Sequence, residues 1–292
     1  MTQNMSRKTI SFIKMHGLGN DFILIDDLSK SSSHLSPVTP EVARKICHRR
    51  FGVGADQVLW LKAPRGSTAR SMPHARMEIF NADGSAAEMC GNGIRAVALY
   101  LKGRGSKPGV GEHKGEYKIE TLAGLIRVLV LENDLVRVDM GPPRLGGGFE
   151  KPEAAGETLT VLGQKLAFYE VSMGNPHAVI FVEDVERYPV DQFGSAIERN
   201  PRFPERTNVE FVQVMSPEKL RIRVWERGAG LTLACGTGAC AAAVTALATA
   251  KVKGKVTVQL PGGDLAIEWA GSGASVLMEG AADEVFRGEF LV

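Results

Sequence analysis

The strongest constraint on this chain is that part of it occurs twice. Residues 76 to 93 and 221 to 238 align without a gap, at the offset of 145 that separates Cys90 from Cys235. Arg76 meets Arg221, Ile79 meets Val224, Phe80 meets Trp225, Gly91 meets Gly236 and Gly93 meets Gly238. Each copy reads as strand, loop, Cys-Gly-x-Gly, helix, so the repeat is a supersecondary unit with a cysteine at a fixed place in it. Gly19-Asn20 before the apolar run Phe22 to Ile25 matches Gly174-Asn175 before Ala178 to Val182, and Arg50-Phe51 with Gln57 matches Arg202-Phe203 with Asn208 more loosely. Two similar domains that face each other across a cleft account for such matched polar loops. The length of 292 residues suits two cores. The boundary is expected near residue 135, giving domains 1–135 and 136–280.

Around the repeat, alternating apolar residues in Thr9 to Lys14 and the run Phe22 to Ile25 read as a hairpin turning at Gly17-Leu18-Gly19-Asn20. A Ser/Pro-rich loop from Ser29 to Pro40 precedes a helical stretch, Glu41 to Arg49, and the break Gly52-Val53-Gly54 leads into a strand at Val58 to Leu61. Arg76 to Phe80 reads as a strand, and Met89 to Leu101 as a helix stopped by Gly103. Lys118 to Met140 reads as two strands joined at Asn133-Asp134.

A cysteine that opens a helix lies near N–H groups without intrahelical acceptors and near the positive end of the helix dipole, which favours thiolate over thiol. The flanking glycines let a ligand approach the backbone, where those N–H groups can hold a carboxylate. Two such loops supply what inversion at a carbon acid needs: one thiolate to remove the α-proton and one thiol to protonate the other face. Without a cofactor, backbone dipoles in a dry cleft stabilise the carbanion. A lone free cysteine is usually a small core hydrophobe, and that reading holds for Cys47, in a helical pattern, and for Cys240, on an apolar face. Zinc sites pair Cys or His at about two to four intervening residues, and Cys235 with Cys240 has no matching partner pair, so no metal is expected. A thiol redox protein is the rival from a different class, although no Cys-x-x-Cys is present.

Apolar residues make up 44% and charged residues 23%, as in ordinary globular chains. A net charge of +2 provides no footprint for nucleic acid or an anionic membrane. No apolar run approaches the roughly 20 residues that span a bilayer. Lys14 and His16 interrupt the N-terminal apolar stretch and no cleavage site follows, so a cytoplasmic protein with reduced thiols is expected.

Eight motifs in order carry a closer likeness: His16-Gly17-Leu18-Gly19-Asn20-Asp21-Phe22, Gly54-Ala55-Asp56-Gln57, Asn81-Ala82-Asp83-Gly84-Ser85, Met89-Cys90-Gly91-Asn92-Gly93, Gly174-Asn175-Pro176-His177, Arg206-Thr207-Asn208, Glu226-Arg227-Gly228-Ala229-Gly230 and Ala234-Cys235-Gly236-Thr237-Gly238. From about Phe12 to Phe290 the chain resembles the diaminopimelate epimerase family. The resemblance implies an α+β fold of two pseudo-symmetric domains, each a curved, mainly antiparallel sheet wrapped around a central helix, with a return strand at 281–292. It implies a pyridoxal-free epimerase interconverting L,L- and meso-diaminopimelate, feeding lysine and peptidoglycan precursor synthesis, with no cofactor. Cys90 and Cys235 would then be the acid/base pair. Gly91-Asn92 and Gly236-Thr237 would hold the reacting carboxylate, and Asn20, Gln57, Asn81, Asn175, Asn208, Glu226 and Arg227 the rest of the substrate. Amides and an arginine suit a second amino-acid end. His177 and Glu226 would adjust the thiols, and Phe286 resembles an aromatic residue of a homodimer contact.

Ala96, Leu231 and Leu233 depart from the family's commonest pattern, at positions where cysteine (Ala96) and polar residues are frequent. The nearest rivals in architecture, proline racemase and hydroxyproline epimerase relatives, typically carry Cys-Gly-His where this chain has Cys90-Gly91-Asn92.

Overall fold

The computed structural model describes residues 9–28, 38–65, 73–109, 114–146, 149 and 156–292. Residues 29–37 of the Ser/Pro-rich loop and the start of the N-terminal segment, residues 1–8, lie outside them. The chain divides into two compact units, one running up to Val138 and joined by Ala281–Val292, the other Asp139–Gly280.

In the first unit the elements are β1 (Thr9–Gly17), β2 (Asn20–Asp27), α1 (Pro40–Cys47), β3 (Gln57–Lys62), β4 (Ala75–Asn81), β5 (Ala86–Ala87), α2 (Gly91–Gly103), β6 (Glu116–Thr121), β7 (Gly124–Val130) and β8 (Val136–Asp139). β1 and β2 form the hairpin, with Gly17 opposite Asn20. Leu18 (φ 56°) and Gly19 (φ 84°) both take left-handed backbone at its tip, the conformation that matches strand twist in two-residue turns. β2 runs parallel to β3, β3 antiparallel to β4, and β4 both antiparallel to β5 and parallel to β6. β6, β7 and β8 follow as an antiparallel meander.

The second unit repeats this order with β9 (Arg144–Leu145), β10 (Glu157–Val161), β11 (Gln164–Ser172), β12 (Pro176–Phe181), α3 (Val190–Glu198), β13 (Asn208–Ser216), β14 (Lys219–Glu226), β15 (Gly230–Thr232), α4 (Gly236–Ala248), β16 (Val256–Leu260), β17 (Gly263–Trp269) and β18 (Val276–Gly280). β11 pairs antiparallel with β12, β12 parallel with β13, β13 antiparallel with β14, and β14 parallel with β16. The last strand, β19 (Asp283–Leu291), belongs to the first unit and lies antiparallel to β1, Thr9 opposite Leu291.

Each unit is built around the helix that its cysteine opens. Helix α4 is buried from Gly238 through Ala246, and its run of alanines lets β12, β13, β14, β16 and β17 approach it from different sides. Helix α2 packs against β1, β2, β7 and β19 and is buried from Gly91 through Ala98. Satellite cores lie under the shorter helices: Ile10, Ile23, Ile25 and Val58 against Ala43 and Ile46 of α1, and Phe168, Ile180, Phe203 and Phe211 against Phe193 and Ile197 of α3. Sheets and, among the described residues, four helices give the α+β class.

Two local expectations need correction. Lys118 to Met140 holds parts of three strands, because the chain turns also at Leu122-Ala123. Thr121 Oγ1 donates to Gly124 O (2.9 Å) and Gly124 takes φ 116°, so one glycine and a hydroxyl make a turn that the apolar residues around it conceal. Helix α2 does end at Gly103, and the left-handed exit follows at Gly105 (φ 79°), whose N–H donates to Lys102 O (3.1 Å). Helix α1 ends at Cys47 rather than Arg49, since His48 is extended (ψ 118°) and its Nδ1 accepts from the N–H groups of Arg50 and Phe51.

Candidate active site

Alternating parallel and antiparallel pairing collects the motifs at one end of each sheet. In the first unit the starts of β2 and β3 lie beside the end of β4, so Phe22 is opposite Gln57 and Gln57 opposite Asn81. In the second, His177 is opposite Asn208, and the next pair, Val209 with Trp225, brings Asn208 level with Glu226. Helices α2 and α4 begin near these ends.

Cys90 is the N-cap of α2, with extended backbone (φ −140°) and its sulfur accepting from Gly93 N at 3.3 Å. The cysteine is half-buried. Its Sγ lies 3.7 Å from Asn20 Oδ1, which also accepts from Asn92 Nδ2 at 3.1 Å, so these three residues come together. Asn20 is itself turned by Asp56, whose Oδ2 accepts from Asn20 Nδ2 (2.8 Å). Beneath lies Arg95, fully buried, which donates to Asn92 Oδ1 (3.0 Å), Gly91 O (3.4 Å) and Ala281 O (3.2 Å). Gln57 and Asn81 form a separate pair, Gln57 Nε2 donating to Asn81 Oδ1 (2.9 Å), and Asn81 Nδ2 donates to Ser85 (2.9 Å).

The hairpin tip is fixed from behind by ions. Lys14 donates to Asp21 and to Gly54 O, and Arg49 reaches both Asp21 (2.9 Å) and Asp56 (2.6 Å). Although burial works against ionisation, Arg49 and Lys14 hold the Asp21 carboxyl down at about 2.

Cys235 caps α4 in the same way, accepting from Gly238 N at 3.4 Å. Its surroundings differ. Thr237 Oγ1 lies 3.5 Å from the sulfur, Asn175 Nδ2 donates to Thr237 Oγ1 (3.3 Å), and His177 Nε2 faces Asn175 Oδ1 (3.0 Å). His177 Nδ1 lies 2.7 Å from Glu210 Oε1, with both side chains fully buried. Burial pushes the Cys235 thiol well above its ordinary range, and the charges of Glu226 and Glu210 push it further, opposed by Thr237 and the Gly238 N–H. Burial likewise raises the Glu226 carboxyl, which accepts from Thr232 Oγ1 at 2.5 Å.

Asn208 is buried with both polar atoms engaged, Nδ2 donating to Pro176 O (2.8 Å) and Oδ1 accepting from Arg227 N (2.9 Å). The Arg227 guanidinium donates to Glu205 O (3.2 Å). Cys47 and Cys240 lie in the core, and burial raises the Cys47 thiol to about 12. Ala96 is buried within α2, whereas Leu231 and Leu233 are exposed around β15. Phe286 on β19 is half-exposed and meets Phe12 edge-to-face at 5.8 Å. Among the described residues no group of three or more His, Cys, Asp or Glu side chains could hold a metal ion, and no helix is long and apolar enough to cross a membrane.

Sequence reasoning missed two residues of this region. Glu210 sits in an apolar run, Val209 to Val212, where a single charge reads as the solvent side of a strand. Arg95 is the fifth residue of a helix and reads as a solvated position. Glu210 could have been flagged by applying the repeat to it: the register that aligns Gln57 with Asn208 sets it against Leu59.

Residues 12–146 and 169–285 match the family model described as Diaminopimelate epimerase. A diaminopimelate epimerase from Moorella thermoacetica is 49% identical over 290 residues, covering 96% of this chain and 98% of the relative. One from Carboxydothermus hydrogenoformans is 46% identical over 288 residues, covering 97% of this chain and 100% of the relative. Among solved structures, a hydroxyproline epimerase from Agrobacterium vitis superposes with a TM-score of 0.69 at 15% identity, covering 98% of this chain and 94% of that one. A phenazine biosynthesis protein of the PhzF family from Bacillus anthracis gives a TM-score of 0.68 at 17% identity, covering 98% and 100%. At these identities the two structures speak to the fold.

Proposed function

Since the chain belongs to the diaminopimelate epimerase family and is therefore an isomerase, we propose that Cys90 and Cys235 are its two bases, inverting the α-carbon of diaminopimelate between the L,L and meso forms. The observation that carries this assignment is that each cysteine is the N-cap of a buried helix, its sulfur held by the N–H three residues on.

In one direction a thiolate takes the α-proton and the other thiol delivers its own proton to the opposite face. The product leaves with inverted configuration, and the two sulfurs have exchanged protonation state. The reacting carboxylate is held by the first-turn N–H groups at Gly91-Asn92 and Gly236-Thr237, which have no intrahelical acceptors. Those dipoles stabilise the charge that develops as the proton leaves. Asn20, Gln57, Asn81, Asn175 and Arg227 serve the distal ammonium and carboxylate. Asn208 serves them through the backbone of Arg227, because its own amide is engaged. Glu226 and His177 bias the Cys235 thiol. The reaction needs no pyridoxal cofactor.

The reading extends to lysine and peptidoglycan precursor synthesis in the cytoplasm by a homodimer. Half-exposed Phe286, Val285 and Leu291 of β19 supply an apolar surface for the second copy.

The test is incubation of the purified protein with L,L-diaminopimelate, without added cofactor, followed by chiral chromatography. Formation of the meso isomer, with no racemisation of L-proline or trans-4-hydroxy-L-proline, is expected. Turnover of either proline substrate with none of diaminopimelate would overturn the substrate assignment.

A further inference from the structure

The repeat makes the two cysteine loops comparable position by position, and one difference lies in the strands behind the two sulfurs. Behind Cys90 the equivalent strands offer Phe22 and Leu59, both fully buried, where behind Cys235 they offer His177 and Glu210. The equivalence is spatial as well. A Cβ on Gly93 would meet Leu59 Cδ2 at 3.1 Å and Cys90 Sγ at 3.4 Å, and a Cβ on Gly238 would meet Glu210 Oε1 at 2.8 Å and Cys235 Sγ at 3.3 Å. Glu210 therefore stands against the first turn of α4, beside the sulfur, in the place of a leucine.

A fully buried carboxylate is costly unless it has a task or a full set of partners. Glu210 has half a set. Oε1 faces His177, and buried Oε2 has no hydrogen-bond partner. From His177 a chain of contacts runs through Asn175 and Thr237 to Cys235. Asn175 fixes its direction: its oxygen faces His177 and its nitrogen faces Thr237, so His177 donates from Nε2 and the Thr237 hydroxyl, accepting from Asn175, has its proton for the sulfur. Glu210 Oε1, 2.7 Å from Nδ1, is the other hydrogen-bond partner of the ring and fixes it.

We propose that Glu210 is a positioning residue for the second thiol alone: it anchors His177 at the head of the chain that brings a hydrogen-bond donor to the sulfur, and it sets a buried carboxylate beside Cys235 that acts against that donor, while Cys90 is untouched. The proposal rests on the two-thiol reading given above. The ionisable groups facing Cys235 are Glu210 from β13, Glu226 from the end of β14 and, through Asn175 and Thr237, His177 from β12. Glu210 and Glu226 both oppose ionisation of the sulfur. Removing the Glu210 charge therefore makes Cys235 ionise more readily.

The test is site-resolved alkylation of the full chain. Wild type and Glu210→Gln are treated with iodoacetamide over a range of pH, and peptide mass spectrometry gives the rate at Cys90 and at Cys235 separately. In Glu210→Gln the Cys235 profile is expected to move to lower pH, with alkylation near neutrality about tenfold faster, the equivalent of one pKa unit. The Cys90 profile stays in place, and kcat for inversion falls with KM little changed. An unmoved Cys235 profile, or equal movement at both cysteines, would overturn the proposal. Should Glu210→Gln fail to fold, the double variant His177→Phe with Glu210→Leu copies the apolar pair of the first unit and is read by the same two profiles. Cys90→Ala and Cys235→Ala keep the two claims apart: inversion surviving in either sinks the two-thiol reading, whatever Glu210 does to the alkylation of Cys235.

Discussion

Replacing either Cys90 or Cys235 with alanine is expected to lower the rate of inversion by about a thousandfold or more while leaving the protein folded. General acid and base groups contribute about 10²–10⁴-fold each, and loss of one of two opposed bases leaves the reaction without either the abstraction or the return of the proton. The fold survives because each sulfur makes one cap contact, from Gly93 N or from Gly238 N, and a lost cap costs about 0.5–2 kcal/mol. Serine at the same positions separates the two roles. Its hydroxyl restores the cap and cannot ionise at neutral pH, so Cys90→Ser and Cys235→Ser should be as inactive as the alanine variants with more of the stability. Chiral chromatography of the product and circular dichroism of the protein measure the two effects, and an active alanine variant would remove that cysteine from the chemistry.

Arg95→Ala is expected to be the most damaging change away from the thiols. The guanidinium is fully buried and is shared among Asn92 Oδ1, Gly91 O and Ala281 O, so one side chain ties the first turn of α2 to the segment leading into β19. Truncation leaves a cavity and strands buried acceptors, together about 3–5 kcal/mol. It also releases Asn92, which reaches Asn20 beside Cys90, so inversion measured below the melting range should fall by at least about tenfold through loss of positioning. Lysine cannot reproduce the three directions of the guanidinium and should rescue little. A melting temperature unchanged in Arg95→Ala would show that these contacts do not brace the loop.

What the sequence disclosed follows from what repeats disclose. The cysteine loops, the Gly-Asn turns and the strand before each cysteine could be read because the same local solution was written twice, at a fixed offset. The hairpin could be read because Gly19 takes left-handed backbone in its turn, whereas Leu18, which takes it too, carries no such signal. Burial of charge could not be read in this way. Arg95 and Glu210 occupy positions that periodicity gives to solvent, and only the tertiary packing of α2 against β1 and β19, and of β13 beneath α4, shows that both are enclosed. The turn at Leu122-Ala123 was hidden for a simpler reason: it exposes a leucine where turns usually expose polar residues. The two units are alike in topology and unlike in electrostatics, and sequence similarity between the copies reported the likeness. Their differences, Leu59 against Glu210, Phe22 against His177 and Arg95 against Cys240, carry the chemical asymmetry.

The central claim is that two separate bases serve the two faces of the α-carbon. It is tested most directly by following L,L-diaminopimelate in D₂O during the first turnovers, with mass spectrometry of the separated isomers. Two bases predict that the meso product carries deuterium at the inverted carbon from the outset while the remaining L,L substrate stays protiated, because the proton removed and the proton returned come from different sulfurs. Product that retains the substrate's own α-proton, or deuterium gathering in the unreacted L,L pool at the same rate, would mean that one base serves both faces and would contradict the account.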